Sequence, residues 1–232
     1  MEINPQTVFI ALTGGILPAL LWLWFWLKED MNPEPRGLLL LSFLGGMAVV
    51  IVVLPIEKFA YSELKDGILL ITAWSAIEEV AKYGAAYFIA LKTRFLDEPM
   101  DYVIYMITVA LGFAALENTL FLISTIDKSG LAEGLATQNL RFMGASLLHV
   151  IGSASVGIAM ALSYYKGWFM RKTYLLFGLA SAILLHTLFN FFIIKGSGDN
   201  IFTVFGFVWV IAVLFLLIFE KIKRMGPVRD NL

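Results

Sequence analysis

The sequence predicts an all-α polytopic membrane protein, a bundle of about seven transmembrane helices, and three observations carry that reading. Hydrophobic residues make up 59% of the 232 residues and charged residues 15%, against roughly 45–50% and 25% in soluble domains. Mean hydropathy is +0.82, and a chain this apolar cannot hide its surface in a core of its own size. Seven apolar runs each reach at least 19 residues, and roughly 20 helical residues cross a ~30 Å hydrocarbon layer.

The first run, Val8–Leu27, closes on Trp22, Trp24 and Trp26, where an interfacial aromatic belt is expected. Met1–Gln6 carries no positive charge and no A-x-A-like site follows the run, so a cleavable signal peptide is not expected. The charged, proline-containing segment Lys28–Arg36 leads into the second run, Gly37–Ile56. The third, Gly67–Leu91, carries Glu78, Glu79 and Lys82 between the apolar flanks Ile68–Ile77 and Tyr83–Leu91. Those flanks put the charges near the middle of a span about 37 Å long. Tyr102–Ile126 is the fourth run and contains Glu117. The fifth, Phe142–Tyr165, is rich in small residues, among them Gly144, Gly152, Ser153 and Gly157, whose ordinary use is close helix approach. Thr173–Ile194 and Ile201–Phe219 complete the set, with short connecting segments throughout. Residues 1–232 are therefore expected to form one integral-membrane domain, with a core over 10–194, a seventh helix over 201–219 and a C-terminal tail.

A net charge of −1 creates no field that recruits nucleic acid. The absence of cysteine removes disulfides, thiolate nucleophiles and cysteine-ligated metals. Orientation follows from the cations. With Met1 outside, eleven Lys and Arg residues fall on cytoplasmic segments and five on the opposite side. A six-helix alternative, in which the third run does not span, gives 12 against 5 with both ends inside. Both place the C-terminal tail in the cytoplasm.

Four charges inside apolar runs, Glu78, Glu79, Lys82 and Glu117, would together cost on the order of 10 kcal/mol unpaired. Lys82 stands at i+4 from Glu78 and i+3 from Glu79, so one ammonium reaches either carboxylate. A buried ion pair explains one Glu and leaves the second to be protonated or used. Both histidines of the chain, His149 and His186, lie in apolar runs, each with a polar residue one turn on: Ser153 and Asn190. Phe113 shares a helix face with Glu117, and Asn118 follows it.

If helices three to six form one bundle, these groups converge near the bilayer midplane. Carboxylate and imidazole at one site suit activation of a water, with an amide to stabilise the oxyanion. The same groups suit Zn²⁺ held by His149, His186 and either Glu117 or a glutamate of the third helix, with a fourth position for water. Metal-assisted and metal-free hydrolysis both remain open at this point.

The pattern resembles the PrsW family of intramembrane proteases, in the clade that includes the CAAX prenyl endopeptidases. Glu78-Glu79-Val80-Ala81-Lys82 matches the family's EExxK element, Phe113 to Glu117 its FxxxE element, and His149–Ser153 and His186–Asn190 its two histidine motifs. Asp30–Arg36 is similar to the segment after the family's first helix, and the resemblance covers roughly Ile10 to Ile194. It implies an endopeptidase of the bacterial or archaeal cell membrane acting on membrane-anchored or membrane-proximal substrates, as with anti-sigma factors in some bacteria. It also implies Glu78, Glu79, His149, His186 and Asn190 as catalytic residues, supported by Lys82, Phe113, Glu117 and Ser153. Glu117 occupies a position that is His in the prenyl-endopeptidase branch, which argues against prenylated substrates.

Two other classes compete. A proton- or ion-coupled transporter also buries Glu, Lys and His, although internal repeats and broken helices are not evident. A bis-histidine haem protein would use His149 and His186 as axial ligands and leave the third-run charges unexplained.

Overall fold

The computed structural model describes residues 4–195 and 201–225. Eight helices follow in order: α1 (Pro5–Lys28), α2 (Arg36–Leu64), α3 (Ile68–Ala86), α4 (Pro99–Ser129), α5 (Leu131–Met143), α6 (Ala145–Leu162), α7 (Trp168–Lys195) and α8 (Ile201–Lys223). A π-helical turn, Tyr87–Leu91, continues α3. Local chemistry sets several boundaries. The Asn4 carboxamide accepts from the Gln6 N–H at 2.9 Å, with Pro5 opening α1. Glu98 and Asp101 form a reciprocal capping box around Pro99 at the start of α4. The reversal between α2 and α3 uses left-handed backbone at Lys65 (φ 59°) and Gly67 (φ 108°).

Six of these helices are long and apolar enough to cross a membrane by length and composition alone. The charged α3 does not qualify on that count, yet the contacts between loops show that it traverses the bundle. Asn32, before α2, donates to Glu98, before α4, at 2.7 Å. Tyr105 near the start of α4 donates to Glu34. Tyr164, between α6 and α7, donates to the Asp97 carbonyl at 2.8 Å, and Lys223 at the end of α8 donates to Glu29 at 2.6 Å. The α1–α2, α3–α4 and α6–α7 connections and the end of α8 thus share one end of the molecule. Since α2 leaves that end and the π turn returns to it, α3 must run the whole way back, giving seven traversals. Burial pushes the Glu34 carboxyl up to about 8, so it keeps its proton at neutral pH beside Asp30 and Asp101.

The central helix is α4, buried on nearly all sides and packed against α1, α2 and α6. Its crossing with α2 depends on glycine from both partners. A Cβ at Gly112 would stand 1.9 Å from the Phe43 carbonyl oxygen, and one at Gly46 2.0 Å from that of Val109. Gly157 lets α6 approach Val103 in the same way, the use expected of the small residues in the fifth run.

Three expectations need correction. The segment before the fifth run is not a simple connection: Leu131–Met143 forms α5, so Phe142 and Met143 end that helix and α6 starts only at Ala145. The sequence pattern concealed α5 because its apolar residues are too few for a span. Second, α2 continues to Leu64, eight residues beyond Ile56. Third, the tryptophan belt divides. Trp24 is exposed beneath the Lys28 ammonium, 3.9 Å from its ring, but Trp26 is buried against Phe219 of α8, ring centroids 5.4 Å apart.

Candidate active site

Glu78, Glu79 and Lys82 project from one face of α3 near its middle, a face made by their i, i+3 and i+4 spacing. All three are buried, Glu79 and Lys82 completely. The Lys82 ammonium lies 2.6 Å from Glu79 Oε1 and 3.8 Å from Glu78 Oε2. It also donates to His149 Nδ1 of α6 at 3.1 Å and sits 4.5 Å from the centre of the Phe113 ring. The sequence pairing is therefore real but unequal: Glu79 takes the cation and Glu78 is left with little of it.

Glu79 is fully engaged. Its Oε1 also accepts from His186 Nδ1 of α7 at 2.9 Å, and its Oε2 from the Ser153 hydroxyl at 3.4 Å. Gly152 leaves the space that admits this carboxylate, since a Cβ there would stand 3.4 Å from Oε1. Ser153 thus serves Glu79 rather than His149, one turn before it. With Nδ1 committed to Glu79, His186 turns Nε2 toward Glu78 Oε2, 3.9 Å away. That Glu78 oxygen is buried and, among the described residues, has no hydrogen-bond partner.

The two imidazoles meet edge to face, centroids 5.2 Å apart. No macrocycle fits between rings already in contact, so the haem reading is corrected. Donor atoms of Glu78, His149 and His186 all lie within 4.8 Å of one another. An unpartnered carboxylate oxygen beside two imidazoles is a donor set suited to Zn²⁺. The carboxylate oriented on His186 Nδ1 is the outer partner such ligands usually have. Of the two glutamate options, the third-helix one is the better placed.

Glu117 sits on the far side of His149, its Oε2 3.1 Å from Nε2. It is held there by a residue the sequence reading missed. Arg141 of α5 bonds Glu117 at 2.5 Å through Nη2 and the Asn118 carboxamide oxygen at 2.6 Å through Nε. Asn118 in turn donates to Ser146 at 2.9 Å. Glu57 of α2 was also missed; its carboxyl interacts with that of Glu78. Both lie just outside apolar runs, where charged residues ordinarily mark a membrane interface, so their positions gave no signal.

A cleft of about 210 Å³ opens beside the cluster, lined by Glu117, Arg141, His149, His186, Asn190 and the ring of Phe189, among others. Arg141 and Ala145 lie at the end opposite the four tied segments, so the cleft opens toward that end. Asn190 lines it half-buried, one turn beyond His186.

Comparison with known proteins agrees with this arrangement. The model for the PrsW family of intramembrane metalloproteases matches residues 34–218, which takes in most of α8. The chain is 30% identical over 197 residues to Protease PrsW of Geobacillus kaustophilus, covering 81% of each chain. It is 29% identical over 229 residues to Protease PrsW of Halalkalibacterium halodurans, covering 93% of this chain and 97% of that one. To Protease PrsW of Bacillus subtilis it is 28% identical over 192 residues, or 79% and 83% of the two chains. No solved structure matches. These matches replace the transporter reading with a protease.

Proposed function

Because this chain belongs to the PrsW family of intramembrane metalloproteases, we propose that its Glu78–His149–His186 cluster hydrolyses a peptide bond of a membrane-anchored protein presented through the cleft beside α5. The observation that carries this reading is the unpartnered Glu78 oxygen, buried within reach of the two imidazoles that line that cleft. Glu78, His149 and His186 would hold zinc, which when bound supplies an acidified water and a polarised carbonyl.

The chain's own groups divide the remaining work. Glu79 fixes the His186 tautomer by accepting from Nδ1, and Lys82 fixes His149 by donating to its Nδ1. In a metal-free route the same Glu78 oxygen would instead be the one free to accept a proton, since both Glu79 oxygens are engaged. The Asn190 amide stands in the cleft where it can donate to the developing oxyanion. Glu117, clamped by Arg141, holds the His149 ring at Nε2. His149 would therefore ligate zinc through the nitrogen it releases from Lys82 or Glu117, whereas His186 already presents a free Nε2. A protein anchored in the bilayer and cut next to it, in the manner of an anti-sigma factor, is the substrate class that reaches such a cleft. The chain is read as one protease domain over 1–232.

Two experiments test this reading. Purified protein is expected to carry one zinc per chain and to cleave a single-pass substrate in proteoliposomes. Chelation should stop the cleavage and zinc should restore it, while Glu78→Gln and His186→Ala should lose the metal. Full turnover after exhaustive chelation, with no metal detected, would sink the zinc assignment and leave the carboxylate route standing.

The second experiment fixes orientation. The cation-rich end is assigned to the cytoplasm and the cleft to the outside by the positive-inside rule. The cysteine-free background makes single substitutions clean reporters. Ser129→Cys, exposed at the end of α4, should label with impermeant reagent in intact cells, and Lys221→Cys only after permeabilisation. The opposite result reverses the topology. Ser197, a further external position by sequence, lies outside the described residues.

A further inference from the structure

The cation-rich end of the bundle contains a second cleft, remote from the Glu/His cluster. It encloses about 230 Å³ between α3, its π turn, α4, α6 and α7. Tyr83, Tyr87, Tyr102, Trp168, Arg171 and Lys172 supply its polar and aromatic lining. We propose that it binds one anionic phospholipid by the phosphodiester of its headgroup.

The charges give the first argument. Among the described residues, the ion pairs include neither Arg171 nor Lys172. Arg171 is nonetheless held in place: Nε donates to the Lys166 carbonyl at 3.0 Å and Nη2 to the Tyr164 carbonyl. Lys172 lies over the Trp168 ring, 3.8 Å from its centre. Both cations stand within the first five residues of α7, near the end of a helix where its dipole disfavours positive charge. A pre-positioned guanidinium and ammonium at the rim of a cavity, without a carboxylate partner, suit phosphate oxygens. The carboxylate behind this wall is Asp101, which acts on Tyr102. It is almost fully buried, and its Oδ2 is spent on the Asp97 and Glu98 N–H groups.

The walls give the second argument. The π turn Tyr87–Leu91 widens the helix at this point, and Tyr87 and Leu91 both line the cleft. Such turns inside helices often mark functional sites. The tyrosine hydroxyls offer further donors, and Leu91 and Leu175 offer an apolar surface for the start of an acyl chain. Trp168 and Phe169 beside the cleft are 70% and 73% exposed, as aromatic residues at a lipid headgroup boundary are. Basic pockets between membrane helices recognise anionic headgroups in this way. Free phosphate shares the charge but has no use for the apolar wall.

Native mass spectrometry of the full chain in detergent tests the proposal. Titration with phosphatidylglycerol should give one tight adduct, at least tenfold tighter than phosphatidylcholine with the same acyl chains. Arg171→Gln/Lys172→Gln should weaken that adduct at least tenfold. Both side chains are exposed, so folding should survive, and circular dichroism checks it. Lys58→Gln/Lys65→Gln at the other end should leave the adduct unchanged. Equal binding of the two lipids would overturn the proposal, as would an unaltered adduct in the Arg171/Lys172 variant. Displacement of the lipid by inorganic phosphate at comparable concentration would overturn it too, by marking a site for free anions.

Discussion

Glu78→Gln is expected to lower turnover about a hundred- to ten-thousand-fold, the range that general acid–base groups contribute, while the protein stays inserted and at least as stable as the parent. Glu79→Gln is expected to be equally inactive but less stable. The difference follows from what each carboxylate touches. Glu78 Oε2 is buried without a hydrogen-bond partner among the described residues and lies 3.8 Å from the Lys82 ammonium. An unsatisfied buried acceptor costs stability, so making this side chain neutral removes a penalty along with the chemistry. Glu79 bonds Lys82, His186 and Ser153. Its loss of charge leaves the Lys82 ammonium with only the more distant Glu78 as an anion, and weakens the charge-assisted bond that orients the His186 ring. Thermal unfolding of the two variants in detergent, beside cleavage of a reconstituted substrate, separates them. Full turnover in either variant refutes that residue's role, and a Glu78→Gln protein less stable than Glu79→Gln would reverse their assignments.

The sequence reading was most informative where lipid imposes the rules. Every spanning run must satisfy its backbone as a helix, so the seven runs all reappear, and the charges inside them converge because lipid cannot accept them. Spacing along α3 anticipated that Lys82 reaches both glutamates. It could not say which one wins, because the choice is made by His186, Ser153 and Gly152 on two other helices. Distances between helices are not encoded in one helix's period. Arg141 and Glu57 were invisible for a related reason. Each is an unremarkable interfacial charge by sequence and acquires meaning only because α5 folds back over α4, and because α2 runs on past the expected boundary. Six helices qualify as spans by length and apolarity, and the hydrogen bonds that tie the loops at one end add that α3 also traverses the bundle, a point on which cation counting was level.

Lys82→Met carries the largest expected effect on folding. The ammonium is fully buried and bonds Glu79 at 2.6 Å and His149 at 3.1 Å, with Glu78 a further neighbour. Removing it leaves two adjacent carboxylates in the membrane interior without their cation, and His149 Nδ1 without its donor. Breaking a buried pair by deleting one partner costs about 3–5 kcal/mol, a large part of the ~5–15 kcal/mol that holds a typical protein together. Lys82→Met should therefore accumulate poorly in the membrane and unfold at much lower temperature. Pairing it with Glu79→Gln should recover a substantial part of that loss, because the uncompensated charge disappears with its partner. A double-mutant cycle measures the recovery as a coupling between neighbours. Activity should not return in the double variant, since His149 still lacks its donor and His186 its charged acceptor. Stability unchanged in Lys82→Met, or a double variant no more stable than the single, would show that Lys82 does not neutralise the cluster. Recovered stability without recovered cleavage would show one ammonium serving two ends: it permits the carboxylates to be buried, and it sets the ring that works beside them.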